Sequence, residues 1–156
     1  MKKNNFFGKV FITKSPKETQ KLGYNFAKAL RKGDIVCLYG DLGSGKTTFV
    51  QGLAIGLGIK NRIISPTFVI VRSYKVRIND EGLIINDFYH IDLYRVENEE
   101  DVKELGIEEI INNKNSIIVI EWAEKLKSYL SQKRINIEFY YRADDTREII
   151  FRSLNQ

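Results

Sequence analysis

The chain has 156 residues and a formal net charge of +5 at pH 7, and 43% of its residues are hydrophobic and 29% charged. These values are ordinary for a globular protein, so we expect a single domain spanning residues 1–156. No apolar run approaches the length of a membrane span, the start lacks a signal peptide's apolar region, and one cysteine excludes an internal disulfide. We therefore expect a cytoplasmic protein.

The first third of the chain predicts a strand, a helix and a second strand. Residues 6–13 are typical of a strand. Ser15, Pro16 and Glu18 form a capping-box pattern, which predicts a helix that begins at Pro16 and ends at Gly33. Residues 34–39 are apolar and β-branched, as in a buried strand. This order indicates an α/β fold.

Residues 40–48 read Gly-Asp-Leu-Gly-Ser-Gly-Lys-Thr-Thr and match the phosphate-binding pattern G-x-x-x-x-G-K-[ST]. A predicted strand precedes them, and helical periodicity follows until Gly58. The glycines allow backbone N–H groups to approach phosphate oxygens, and the start of a helix favours negative charge there. Lys46 can reach the β- and γ-phosphates, and the Thr47 hydroxyl can bind Mg²⁺. This segment predicts a nucleoside triphosphate site.

A Ser-Pro-Thr-Phe segment at residues 65–68 interrupts the chain before the next strand. Its hydroxyl groups, including that of Thr67, suit a loop that senses the γ-phosphate, but the spacing alone favours a plain turn. Residues 68–76 and 83–89 then predict two strands, and the polar residues 77–82 between them predict a hairpin loop.

Residues 90–95 leave a predicted strand, and Asp92 lies where ligands bind in sheets of this class. Asp92 is therefore a candidate metal ligand or general base, and a surface ion pair with Arg95 is the alternative. His90 is a candidate proton shuttle, and a structural histidine is the alternative.

The second half of the chain predicts a helix, a buried strand and a hairpin. Residues 97–113 predict a surface helix interrupted near Gly106. Residues 116–120 predict a buried strand that ends in Glu121, the arrangement in which a carboxylate holds Mg²⁺. Glu124 suits a helix cap. Residues 134–141 and 147–151 predict an antiparallel hairpin.

Four motifs, at residues 40–48, 65–68, 90–95 and 121–124, together resemble the bacterial tRNA threonylcarbamoyladenosine biosynthesis ATPase family, TsaE (also called YjeE). The first motif is shared by many NTPases, whereas the other three, in this order, are specific to the family. Residues 104–107 also resemble the family, and the resemblance covers nearly the whole chain.

The resemblance implies an α/β P-loop NTPase fold with a mainly parallel central sheet flanked by helices and added antiparallel strands. It implies ATP and Mg²⁺ as cofactors. It also implies a role in threonylcarbamoyl modification of adenosine in the anticodon loop of tRNAs that read codons starting with A. The implied partners are the TsaD and TsaB proteins, whose complex the ATPase binds while cycling ATP to ADP, and any tRNA contact is indirect or weak.

The resemblance also implies roles for individual residues. Residues 65–68 and 90–95 become switch loops, Thr47 and Glu121 hold Mg²⁺, and Asp92 positions or deprotonates the attacking water. Lys46, Asp92 and Glu121 are the catalytic candidates. The predicted nucleotide contacts are Ser15, Asp41, Gly43, Ser44, Gly45, Lys46, Thr47, Thr48 and Thr67.

Three alternatives use the same loop. A small-molecule kinase needs an acceptor pocket and usually an arginine-bearing lid, for which the chain has little room. A GTPase usually carries N-K-x-D, and residues 113–116 lack the Asp. A binding module would hold nucleotide without turnover.

Overall fold

A computed structural model describes residues 5–60, 63, 70–76, 87–126, 128–130 and 132–152. The predicted loops at residues 65–68, with Thr67, and at residues 77–82 lie outside this range. The strands are β1 Val10–Thr13, β2 Ile35–Tyr39, β3 Val71–Lys75, β4 Asp87–Asp92, β5 Ser116–Glu121, β6 Ile135–Tyr141 and β7 Arg147–Arg152. The α-helices are α1 Pro16–Ala27, α2 Lys46–Gly56, α3 Glu99–Glu104 and α4 Ile107–Asn112. No helix of the described ranges is long and apolar enough to cross a membrane.

The seven strands form one mixed sheet in the order β1-β7-β6-β2-β5-β4-β3. The four central strands are parallel, since β2 pairs with β5 and β6 and β4 pairs with β5 in that sense. Antiparallel pairs flank them, β3 with β4 at one side and β6, β7 and β1 at the other. The α/β prediction of a mainly parallel centre with added antiparallel strands is confirmed.

Helices pack on both faces of the sheet because the central strands are apolar on both faces. In β2, Val36 and Leu38 belong to the hydrophobic cluster that includes α1 and α2. The alternate residues Ile35 and Cys37 belong to the cluster that includes α3 and α4. The sheet therefore separates two hydrophobic clusters, and the loop that follows β2 emerges at the carboxyl edge between them.

The first helix begins as predicted and ends earlier. The Ser15 hydroxyl accepts the Glu18 N–H at 3.2 Å, and Pro16 occupies the first turn. The Glu18 carboxylate accepts the N–H of Lys14 at 2.8 Å, one residue beyond the usual capping-box partner. The helix ends at Ala27 rather than at Gly33, because the chain tightens into successive turns after it.

Helices α1 and α2 approach each other closely through glycines. A Cβ on Gly23 would lie 2.2 Å from the carbonyl oxygen of Phe49, and one on Gly52 would lie 1.9 Å from that of Gln20. Real side chains do not tolerate such distances to backbone atoms. Glycine therefore sets how close α2, which begins at Lys46, lies to α1.

The second half of the fold also follows the sequence closely. The predicted interrupted helix is divided into α3 and α4 at Gly106, whose φ is 63°. The strand β5 is buried along its whole length and ends at Glu121. A short 3-10 turn, Ala123–Leu126, follows it and carries Glu124.

Candidate functional site

The loop between β2 and α2 has the backbone that a phosphate-binding turn requires. Gly40, Gly43 and Gly45 have φ angles of 139°, 77° and 101°, which side chains with a Cβ rarely adopt. A Cβ on Gly40 would also lie 2.4 Å from the carbonyl oxygen of Phe139. The N-cap residue of α2 is Gly45, which has no side chain to cap the first turn. The N–H groups of that turn and the helix dipole are thus available to an anion.

Lys46 is folded back onto this loop. Its Nζ donates to the carbonyl oxygens of Gly40 and Asp41, at 2.5 and 2.9 Å, and lies 4.4 Å from the centre of the Trp122 ring. Burial lowers the pKa of Lys46, and the nearby Glu121 carboxylate opposes that shift. The buried Lys46 ammonium therefore supplies positive charge beside the Glu121, Asp92 and Asp41 carboxylates.

Thr47 and Glu121 are in direct contact. The Thr47 hydroxyl donates to both carboxylate oxygens of Glu121 at 3.0 Å. Glu121 is 2% exposed, and its Oε1 lies 2.8 Å from Nε2 of His90. The hydroxyl at the start of α2 and the carboxylate at the end of β5 therefore come together at one point.

Asp92 ends β4 beside Glu121, because the register of the parallel strands pairs the two residues. Its Oδ1 accepts the N–H of Tyr94 at 3.0 Å, which orients the carboxylate. Asp92 is 7% exposed and lines the same cavity as Thr47 and Glu121. A carboxylate held in this way can bind a water or a cation.

A cavity of about 360 Å³ connects these groups to the start of α1 and the end of the β6–β7 hairpin. Its lining residues are Pro16, Thr19, Leu42, Gly43, Gly45, Lys46, Thr47, Thr48, Asp92, Tyr94, Glu121, Trp122, Asp145 and Arg147. The volume lies within the range typical of small-molecule sites.

Some predicted nucleotide contacts lie beside the cavity rather than in its lining. Ser15 caps α1, and the adjacent Pro16 and nearby Thr19 line the cavity. Asp41 contributes its carbonyl oxygen to Lys46, and the buried Ser44 hydroxyl lies 3.4 Å from the same ammonium. Thr67 lies outside the described residues.

Sequence reasoning missed Trp122 and Arg147 as cavity residues. Trp122 has a φ of 59°, unusual for a residue with a side chain, and this backbone turn brings its ring over Lys46. Its place in the motif at residues 121–124 was the available signal. Arg147 stacks on Tyr141, with its guanidinium carbon 4.6 Å from the ring centre. Nothing in the local sequence of Arg147 indicated that position.

The donor set suits a nucleotide with a bound divalent cation. Thr47, Asp92 and Glu121 offer hydroxyl and carboxylate oxygens, the ligand type that Mg²⁺ prefers. Within the described part of the chain, no group of three or more His, Cys, Asp or Glu residues could hold a metal on its own. Mg²⁺ commonly completes its coordination with substrate phosphates and water, so these residues fit it together with a nucleotide.

Comparisons with known proteins agree with one another. The family model "Threonylcarbamoyl adenosine biosynthesis protein TsaE" matches residues 13–149. The tRNA threonylcarbamoyladenosine biosynthesis protein TsaE of Bacillus subtilis is 38% identical over 139 residues, covering 89% of this chain and 82% of that protein. The protein of the same name from Treponema pallidum is 36% identical over 138 residues, covering 88% and 96%. The crystal structure of Bacillus subtilis YdiB superposes with a TM-score of 0.68 at 33% identity, covering 92% of this chain and 83% of YdiB.

Proposed function

Because this chain belongs to the TsaE family, we propose that it is a Mg²⁺-dependent ATPase required for threonylcarbamoyl modification of adenosine in the anticodon loop of tRNA. The observation that carries this proposal is the contact of the Thr47 hydroxyl with Glu121, beside Asp92, at the end of the phosphate-binding loop. A bare anion site needs only the loop, whereas these oxygen atoms suit a cation and a water as well.

In this proposal the protein acts with the TsaD–TsaB complex and does not transfer the threonylcarbamoyl group itself. Its cycle from ATP to ADP permits repeated rounds of modification. The family motifs at residues 65–68 and 90–95 support this role, since switch loops of this kind couple the γ-phosphate to a partner surface. The tRNA would contact the protein indirectly or weakly.

The chain's own groups would stabilise the reacting phosphates. The loop amides after Gly43 and the start of α2 donate hydrogen bonds to phosphate oxygens. Lys46 leaves the carbonyl oxygens of Gly40 and Asp41 and moves its ammonium to the β- and γ-phosphates. Negative charge spreads over the γ-phosphate oxygens in the transition state, so this charge is most effective there.

Two carboxylates would then have separate tasks. Thr47 and Glu121 would hold the Mg²⁺ ion, which would supply positive charge that offsets the negative charge of the nucleotide phosphates. Asp92 accepts a hydrogen bond from the attacking water and orients it in line with the breaking bond. The Tyr94 N–H donates to Oδ1 of Asp92 at 3.0 Å and would help to orient the carboxylate for this task.

The direct test is Mg²⁺-dependent ATP hydrolysis, measured for the protein alone and with TsaD, TsaB and tRNA. Lys46→Ala is the inactive variant, and Lys103→Ala is the matched control because Lys103 is exposed on α3 and does not line the cavity. We expect slow turnover alone, stimulation by the partners, loss in Lys46→Ala and no change in Lys103→Ala. Equal turnover with and without the partners would reject the pathway while leaving nucleotide hydrolysis intact.

The same assay separates the alternatives. A GTPase would bind GTP more tightly than ATP, and a kinase would consume ATP faster when a small acceptor is added. A binding module would bind ATP with Mg²⁺ and release it unchanged. Each of these results would replace the ATPase proposal with a defined alternative.

A further inference from the structure

His90 is a wholly buried side chain that contacts Glu121 of the candidate cation site. It lies on β4, two residues before Asp92, and it is not among the residues that line the cavity. Its Nε2 lies 2.8 Å from Oε1 of Glu121, whose carboxylate also accepts the Thr47 hydroxyl. His90 could therefore act on a nucleotide in the cavity through Glu121.

The surroundings of the ring indicate which nitrogen carries the hydrogen. Among the described residues, His90 Nδ1 is buried and has no hydrogen-bond partner. A buried N–H without an acceptor costs more than an unused lone pair on a ring nitrogen. The hydrogen therefore lies on Nε2, where it is donated to Oε1 of Glu121.

We propose that His90 is a positioning residue that holds the Glu121 carboxylate in the orientation needed to bind the divalent cation of a metal–nucleotide complex. This inference rests on the proposed function. The His90 N–H holds Oε1, so rotation of the carboxylate about its last bond would break that hydrogen bond. The Thr47 hydroxyl contacts both carboxylate oxygens, so Oε2, which His90 does not contact, would be the oxygen left to bind the cation. Histidine at this position supplies a donor on β4, whose pairing with β5 places it beside Glu121.

The loss of Mg²⁺ affinity expected when the His90 donor is removed follows from two observations. Glu121 is 2% exposed, so water cannot replace a lost donor without a rearrangement. Groups that orient metal ligands in this way typically change metal affinity about 10- to 100-fold when they are removed. Nucleotide binding without the cation depends on the loop and Lys46, which His90 does not contact.

The experiment titrates Mg²⁺ into the full chain with ADP and measures binding by calorimetry, with ADP in EDTA as the metal-free reference. His90→Phe keeps a ring and removes the donor. His90→Gln and His90→Asn form a matched pair, because both carry an amide but only Gln reaches as far as Nε2. Far-UV circular dichroism and urea unfolding verify that each variant is folded.

We expect His90→Phe and His90→Asn to raise the Mg²⁺ concentration at half-saturation about 10- to 100-fold. His90→Gln should restore a value close to that of the unchanged chain, and all variants should bind ADP equally in EDTA. Should His90→Phe fail to fold, the Gln and Asn pair still decides the question. A purely structural role predicts that Gln and Asn behave alike or that ADP binding in EDTA weakens too, and either result overturns the inference. Absence of ADP binding by the unchanged chain would instead refute the proposed function.

Discussion

The close approach of α1 and α2 predicts that Gly52→Ala destabilises the protein, although alanine is the better helix former. A Cβ on Gly52 would lie 1.9 Å from the carbonyl oxygen of Gln20, and 2.6 and 2.7 Å from its C and Cα atoms. All three are backbone atoms of α1, so no side-chain rotation relieves the contact. The helices would have to move apart.

The magnitude of the destabilisation follows from how far the two helices would have to separate. Against an ordinary contact of about 3.5 Å, the two helices would separate locally by roughly 1.5 Å. This movement loosens the packing of Phe26 on α1 against Phe49 on α2, whose ring centres are 6.0 Å apart. Overpacking of this kind costs about 3 kcal/mol, and the higher helix propensity of alanine returns about 1 kcal/mol. The net loss of about 2 kcal/mol should lower the Tm by about 4–8 °C.

Urea and thermal unfolding followed by far-UV circular dichroism measure this loss. Ile55→Ala is the matched control on the same helix. Because the Ile55 side chain is 58% exposed, its truncation should change the free energy of unfolding by about 0.5 kcal/mol or less. Since α2 carries Lys46 and Thr47 in its first turn, Gly52→Ala should also weaken nucleotide binding. If Gly52→Ala were as stable as the unchanged chain or more so, the close helix approach would be refuted.

Three further outcomes follow from the site and the core. Thr47→Val should abolish the Mg²⁺-dependent tightening of nucleotide binding, and Thr47→Ser should keep it, because only Ser retains the hydroxyl that contacts Glu121. If calorimetry showed the same Mg²⁺ dependence for both variants, a role of the Thr47 hydroxyl in Mg²⁺ binding would be contradicted. Asp92→Asn should bind ATP normally and hydrolyse it about 10²- to 10⁴-fold more slowly, and an unchanged rate in single-turnover assays would remove Asp92 from catalysis. Burial raises the pKa of the Cys37 thiol from 9.0 to about 12. Between those pH values the unfolded chain releases the thiol proton and the folded chain keeps it, so the free energy of unfolding should fall as pH rises. Cys37→Ala should show a shallower decline in urea unfolding, and an identical slope would count against this effect.

Local sequence patterns determined much of this protein. The glycine pattern of residues 40–45 predicts the loop, because residues with a Cβ rarely adopt those φ angles. Ser15 and Pro16 predict where α1 begins, and Gly106 predicts the break between α3 and α4. The placement of Glu121 directly after the apolar run 117–120 predicts its position at the carboxyl edge of the sheet. Each of these signals lies within a few residues of the feature it predicts.

Tertiary structure alone decided the contacts between distant segments. The parallel pairing of β6 with β2 brings the C-terminal hairpin, and with it Arg147, to the cavity. The register of β4 against β5 places His90 where it donates to Glu121. The turn at Trp122 brings its ring over Lys46. These contacts depend on strand order, register and backbone direction, which are set by packing of the whole sheet rather than by the residues next to each contact.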